Sequence, residues 1–208
     1  MAASDDESLF YSSLLFFEHD DSTRRMVRSP RGVDRDREAT WYISAMQIVR
    51  PADFRSQPWK NGGGITHEIV RWPDTELYDL RVSIADDRVA GPFSQFPGYR
   101  RWSFLAGAAP IVLDVAGVPH PLTALGDHIE ADGDAPITCA LPAGPTRLLY
   151  ILVRHPVGAQ VGRGPCALPV RFVFALAALP WLPEGHAAVV DPPAPAALTA
   201  HAVWLRVP

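Results

Sequence analysis

From Met46 onward, apolar positions come in short runs of about five to eight residues cut by Pro, Gly and Asp, which is how strands and turns read. No helical period persists. The runs cover 46–50, 65–72, 80–85, 101–105, 111–115, 137–141, 147–154, 170–176, 187–191 and 202–207. Roughly ten strands at regular spacing predict an all-β barrel or sandwich. In 80–85, Leu80, Val82 and Ile84 share one face while Arg81 and Ser83 share the other, because side chains alternate across a strand. One face packs and the other is open to recognition. The run 147–154 is more continuously apolar, as a central strand covered on both sides should be. Pro192, Pro193 and Pro195 favour edge or extended positions near the end of the chain.

Residues 1–45 read differently. Acidic clusters (Asp5, Asp6, Glu7; Asp20, Asp21) alternate with an arginine-rich stretch (Arg24, Arg25, Arg28, Arg31, Arg35, Arg37). Mixed charge with little to bury predicts a poorly ordered extension, natural or the product of too early a start codon, with Met46 as the functional beginning and 46–208 as the folded unit. The apolar stretch 9–17 lacks a basic start and is interrupted by Ser12 and Ser13, unlike a signal peptide. Elsewhere Pro, Gly or Arg interrupts each apolar run before the roughly 18 residues that a spanning helix needs. The expectation is a soluble, cytoplasmic protein without a membrane partner.

With 208 residues, 48% of them hydrophobic and 20% charged, the chain has material for one globular domain or two fused small barrels. A net charge of −4 argues against broad nucleic-acid binding, which needs a basic field. Cys139 and Cys166 are far apart, with no CxxC pair, and read as buried thiols rather than a disulfide framework.

Three segments could carry chemistry. In Pro58-Trp59-Lys60-Asn61-Gly62-Gly63-Gly64-Ile65-Thr66-His67-Glu68, the glycines predict a tight turn feeding a strand. Such a turn is either a plain hairpin or a backbone anion nest beside the Lys60 charge. No Walker-type Lys-Ser/Thr ending and no ensuing helix follow, which argues against a nucleotide P-loop. The segment 91–102 combines rigid Pro and Gly with Phe93, Phe96, Tyr99 and Trp102 beside Arg100 and Arg101. It suits a planar or carboxylated small molecule, since Arg pairs bidentately with carboxylate; the bland alternative is an aromatic plug at a barrel end. The third stretch, 133–147, reads as strand, turn, strand, with Asp134 a turn residue.

The pair of motifs PWKNGGGxTxE (58–68) and GPFSxFPGxxR (91–101), preceded by RPADF (50–54), resembles the HutD/Ves family of cupin-like proteins over 46 to about 154. The resemblance implies a double β-barrel, or bicupin, often dimeric. It also implies a modulator of histidine catabolism that binds a small anionic metabolite, with no cofactor and no established reaction. Carried over residue by residue, the ligand-binding positions are Lys60, Asn61, Thr66, Glu68, Arg81, Ser83, Phe93, Ser94, Phe96 and Arg101. Two departures stand out. Arg100 takes a place that is usually acidic, which would make the pocket rim more basic. Leu148 and Tyr150 replace polar residues of a strand that lines the site.

Metal-dependent cupins hold their ion with an HxH pair, because residues i and i+2 share a strand face. The seven histidines are scattered, with no HxH, and His67 and Glu68 are neighbours that face opposite ways. No metal site and no catalytic residue are assigned. Glu68, if beside Lys60 or Arg81, should have a lowered pKa that favours binding over proton transfer, and Ser94 has no evident His–Asp relay. The preferred reading is a ligand-binding regulatory protein. The runner-up is a metal-independent isomerase or hydrolase of a small amino-acid derivative, and a purely structural barrel is the third. Elemental analysis of protein purified without an affinity tag should find substoichiometric metal. One equivalent of iron, zinc or manganese, retained through mild chelation and needed for activity, would contradict this.

Overall fold

The computed structural model describes residues 24–27, 44–59, 62–194, 196 and 198–207. Its strands are β1 (Arg24–Val27), β2 (Ser44–Val49), β3 (Arg55–Pro58), β4 (Gly64–Trp72), β5 (Leu80–Asp87), β6 (Gly91–Pro92), β7 (Tyr99–Leu105) and β8 (Ile111–Val115). They continue with β9 (Val118–Leu122), β10 (His128–Asp132), β11 (Ile137–Ala140), β12 (Thr146–Arg154), β13 (Gln160–Arg163), β14 (Val170–Ala175), β15 (Ala187–Ala194) and β16 (Ala202–Arg206). A single 3₁₀ turn, Pro51–Asp53, is the one helical element among the described residues.

The all-β class read from the alternation is what the chain adopts. Its strands form three antiparallel sheets, in the orders β1-β2-β15-β14-β16-β13, β10-β7-β12-β5-β4-β3 and β6-β11-β8-β9. The second is the middle layer. On one side its Leu80, Val82, Ile84, Phe104, Leu149 and Ile151 pack against Phe172, Phe174, Val203 and Leu205 of the first sheet. On the other its Ala85, Leu105 and Leu148 meet Ile111, Leu113 and Ile137 of the third. A further cluster around Val173 and Val190 covers the outer face of the first sheet with Leu179 and Leu182. Strand β12 lies between β5 and β7 and is buried on both faces, as its continuous apolar run predicts. Burying a side chain such as Ile151 or Phe104 contributes about 1.5–3 kcal/mol, so these two cores hold the layers together.

The closed double barrel implied by the resemblance is not drawn by the ladders of the described residues. The middle and third sheets face one another, but no hydrogen-bonded strand pair joins their edges. Strand β15 is interior, yet its prolines fall where pairing lapses. The β2 register ends at Asp191, and the β14 register shifts between Val170 and Phe172, so the missing proline N–H groups break no regular ladder. Of the stretch expected to be loose, β1 and the first residues of β2 are described, pairing Val27 with Ser44 and Met26 with Ala45. The apolar stretch 9–17 lies outside the described residues.

Candidate functional site

Between the middle and third sheets lies a cavity of about 560 Å³. Alternation builds its floor. On β5, Leu80, Val82 and Ile84 go to the first sheet, which leaves Arg81 and Ser83 for the cavity. On β12 the same alternation sends Leu149 and Ile151 one way and Tyr150 and Leu152 into the cavity. Thr66 of β4 and Arg101 of β7 join them, and the loop after β6 closes one side with Phe93, Ser94 and Phe96. Seven of the ten positions carried over by resemblance therefore line one cavity. Lys60 and Asn61 lie outside the described residues, and Glu68 sits elsewhere.

Arg101 is 5% exposed. Its guanidinium carbon lies 5.0 Å from the Phe93 ring centre and 4.6 Å from that of Tyr150, within the range of cation–π attraction. Its Nε donates to Ser103 Oγ at 3.2 Å and its Nη1 to the Ser94 carbonyl at 3.3 Å. Among the described residues no carboxylate oxygen comes within 4.0 Å of it. Burial lowers the Arg101 pKa, while Tyr150 and Asp87 pull it back up. The result is a desolvated cation that faces a cavity and has no ion-pair partner among the described residues.

Asp87, two steps beyond Ala85 on the same face of β5, is fully buried. The Tyr150 hydroxyl donates to its Oδ1 at 3.3 Å, and its Oδ2 has no partner. Burial pushes the Asp87 carboxyl up to about 7, outweighing the Tyr150 hydrogen bond and the Arg101 charge, with Asp86 adding a smaller push upward. Burial, then Asp87, hold the Tyr150 hydroxyl well above its ordinary range.

Glu68 lines a second, adjoining cavity of about 390 Å³, where it gathers three arginines. It meets Arg55 at 2.8 Å, Arg71 at 2.9 Å and Arg81 at 2.7 Å. A register shift in the β4–β5 ladder between Glu68 and Val70 puts Arg71 on the same face as Glu68, since an extra residue resets the alternation. Burial favours the protonated form of Glu68, but the hydrogen bond from Arg71 and the charges of Arg81, Arg71 and Arg55 outweigh it and lower the pKa. Arg81 borders both cavities, held by Glu68 through its Nε.

The glycine turn joins β3 to β4 as a hairpin and seats Trp59, whose backbone N–H donates to the Gly64 carbonyl at 3.0 Å. A Cβ on Gly64 would come within 2.4 Å of the Asp86 carbonyl and 3.2 Å of the Trp59 ring, so only glycine fits. The indole donates to Thr66 Oγ1 at 2.8 Å, and its ring stands edge-on to Phe93, which stands edge-on to Tyr150. The Phe93 loop is tied back by Phe93 N–H to the Ile137 carbonyl at 2.9 Å and Phe96 N–H to the Gly133 carbonyl at 2.6 Å. The Gln95 amide donates to the carbonyl of Asp134, which lies in the turn between β10 and β11.

One departure is corrected. Arg100 does not make the cavity rim basic: neighbouring Arg101 on the strand, it faces the other way and pairs with Glu130 at 2.7 Å and Asp132 at 3.6 Å. Tyr150, read from the sequence as the loss of a polar group, is in fact the residue that links Asp87 to the cavity. Asp87, Trp59, Gln57 and Leu152 were also missed. Carrying the β5 alternation past residue 85 would have found Asp87. On the other face, Ser56 Oγ lies 2.7 Å from His67 Nδ1, and His67 Nε2 lies 3.4 Å from Asp86. His67 and Asp86 line neither cavity, and Asp86 also pairs with Arg147 at 2.9 Å.

A family model described as HutD matches residues 51–167. An uncharacterized 21.2 kDa protein in the hutC 3′ region of Pseudomonas putida is 36% identical over 118 residues, which is 54% of this chain and 62% of that relative, so less than two thirds of its length is spanned. The solved structure of HutD from Pseudomonas fluorescens SBW25 (formate condition) is 28% identical, with a TM-score of 0.65 over 78% of this chain and 97% of that one. A conserved protein of unknown function from Pseudomonas aeruginosa PAO1 is 25% identical, with a TM-score of 0.59 over 77% and 95%.

The raised pKa of Asp87 has a stability sign. In acid the carboxyl is protonated both folded and unfolded; as pH rises the unfolded chain sheds the proton first, so folding loses up to about 4 kcal/mol by pH 7–8. Asp87→Asn removes that loss. Its melting temperature should exceed that of the wild type near pH 8 and match it near pH 4. A wild-type advantage near pH 8 would mean that Asp87 is ionised and well paired.

Proposed function

The chain belongs to the HutD family, and we propose that it binds a small carboxylated metabolite of histidine catabolism in the cavity at Arg101, as a modulator that does not transform its ligand. The observation that carries this is the Arg101 guanidinium, buried between Phe93 and Tyr150 with no carboxylate within 4.0 Å among the described residues. A buried charge without a counterion is costly. An arriving carboxylate relieves that cost and satisfies the planar fork of donors.

The surroundings fit such a ligand. A cavity of about 560 Å³ is within the roughly 300–1,000 Å³ of small-molecule sites. The rings of Trp59, Phe93 and Tyr150 suit a planar body, while Thr66, Ser83 and Ser94 supply hydrogen-bonding groups. The link to histidine catabolism rests on the family and on the relative in the hutC 3′ region. This reading also takes the facing sheets as cupin-like halves of a bicupin, in a dimeric cytoplasmic protein, as the family resemblance suggests.

The hydrolase reading has one observation in its favour, the Ser56–His67–Asp86 chain. That chain stands apart from the larger cavity, so a substrate held at Arg101 would not reach it.

Intermediates of histidine breakdown should bind to the purified protein in equilibrium titrations and persist unchanged in it. Arg101→Gln should weaken the tightest of them by more than tenfold, in line with the roughly 2–5 kcal/mol lost when a buried charge pair is truncated. Arg100→Gln should change it little. Equal binding by wild type and Arg101→Gln, with both folded, would overturn the proposal, and turnover of the bound compound would favour the enzyme reading.

A further inference from the structure

Two buried ionisable groups of opposite type meet at this cavity without forming an ion pair. Arg101 lines the cavity. Asp87 does not; it is fully buried, and the Tyr150 ring that contacts Arg101 also carries the hydroxyl that donates to Asp87 Oδ1. The two ionisable groups are more than 4.0 Å apart. Asp87 Oδ2 has no hydrogen-bond partner, which penalises an ionised carboxylate more heavily than a neutral carboxyl, because an unpaired charge is the costlier group to bury.

The groups that face Asp87 come from each strand packed around it. Tyr150 reaches it from β12, Arg101 from β7 and Cys139 from β11, and Asp86 precedes it on β5. Its β4 partner is Gly64, which carries no charge. Arg101 is the one cation in this set among the described residues. Burial already brings the Asp87 carboxyl to about 7 in the empty protein, with Arg101 pulling the other way.

A carboxylate seated on Arg101 would engage that guanidinium and put a second negative charge near Asp87. Like charges sharing a low-dielectric site cannot both remain ionised without cost. Resting on the binding reading above, we propose that the site takes up a carboxylate and one proton together, and that Asp87 is the residue that holds the proton. Asp87 thereby sets how binding follows pH. The sign follows from linkage. The bound anion raises the proton affinity of Asp87, so between the midpoints of the empty and occupied protein each anion brings in one proton, and affinity falls up to tenfold per pH unit as pH rises. Below both midpoints Asp87 is protonated throughout and the dependence vanishes.

The test uses the full chain and benzoate, a planar aromatic carboxylate matched to the Phe93 and Tyr150 rings, with formate as a smaller probe. Calorimetric titration near pH 7.5 in two buffers of different ionisation enthalpy reads the proton directly. The expected result is uptake approaching one proton per benzoate, with affinity falling as pH rises from about 7 to 8. Asp87→Asn keeps an acceptor for Tyr150 and a similar volume; it should bind with no proton uptake and no pH slope. In the wild type, the carboxyl resonance of Asp87, followed by carbon-13 NMR, should titrate at higher pH when benzoate is saturating, which decides the matter even if the variant folds poorly. Binding with no proton uptake and an unmoved Asp87 midpoint overturns the proton-coupled site and leaves the binding reading standing. Uptake that persists undiminished in Asp87→Asn overturns the assignment to Asp87. If neither benzoate nor formate binds at any pH tested, both readings fall.

Discussion

A guanidinium held between two aromatic rings keeps its place only if the rings cannot give way, and around Arg101 each ring is fixed from behind. Tyr150 stands on β12, the strand buried on both faces, and its hydroxyl is tethered to Asp87. Phe93 is tied through its backbone to β11 and meets the Trp59 ring edge-on. Trp59 is fixed by Thr66 and by the close approach that Gly64 permits. The two sequence motifs, far apart along the chain, thus meet at one point: the glycine turn places the Trp59 ring and the proline-rich loop the Phe93 ring, in edge-on contact in the lining of the cavity that Arg101 faces.

Charge is distributed unevenly around this point. At the second cavity, Glu68 ties Arg55, Arg71 and Arg81 into a compact network, and Asp74 also pairs with Arg55 at 3.0 Å, so each of the three guanidiniums has a carboxylate partner within the protein. Arg101 has none among the described residues, and the nearest buried carboxyl, Asp87, is driven toward its neutral form. A site that withholds its own counterion favours an anion supplied from outside. Arg81, between the two cavities, is the link: Glu68 fixes its position, while its side chain still borders the larger cavity.

What was legible in the sequence divides along a physical line. Among the described residues, each of the ten strands read from apolar runs is interior to its sheet, whereas β1, β3, β6, β9, β10 and β13, which the runs did not reveal, are the sheet edges. An interior strand is covered and must be apolar, while an edge strand pairs on one side and carries charge or proline. Thus β3 is exposed throughout, and β9 places Pro119 and Pro121 where no second partner needs their N–H. Alternation likewise placed Arg81 and Ser83 correctly. It could not show that Glu68 would be occupied by three arginines, because those contacts depend on the register shift in β4 and on packing across strands. Nor could it show that Tyr150, apolar to a pattern reader, presents its hydroxyl to a buried acid.

The most direct measurement of the central claim is a crystal structure of the protein soaked with 4-bromobenzoate, with the ligand oriented by the anomalous signal of its bromine. The account places the carboxylate on the Arg101 guanidinium, with the ring against Phe93 and Tyr150 in the cavity between the middle and third sheets. A bromobenzoate bound instead among Arg55, Arg71 and Glu68, or a well-occupied ligand that leaves Arg101 untouched, would contradict it.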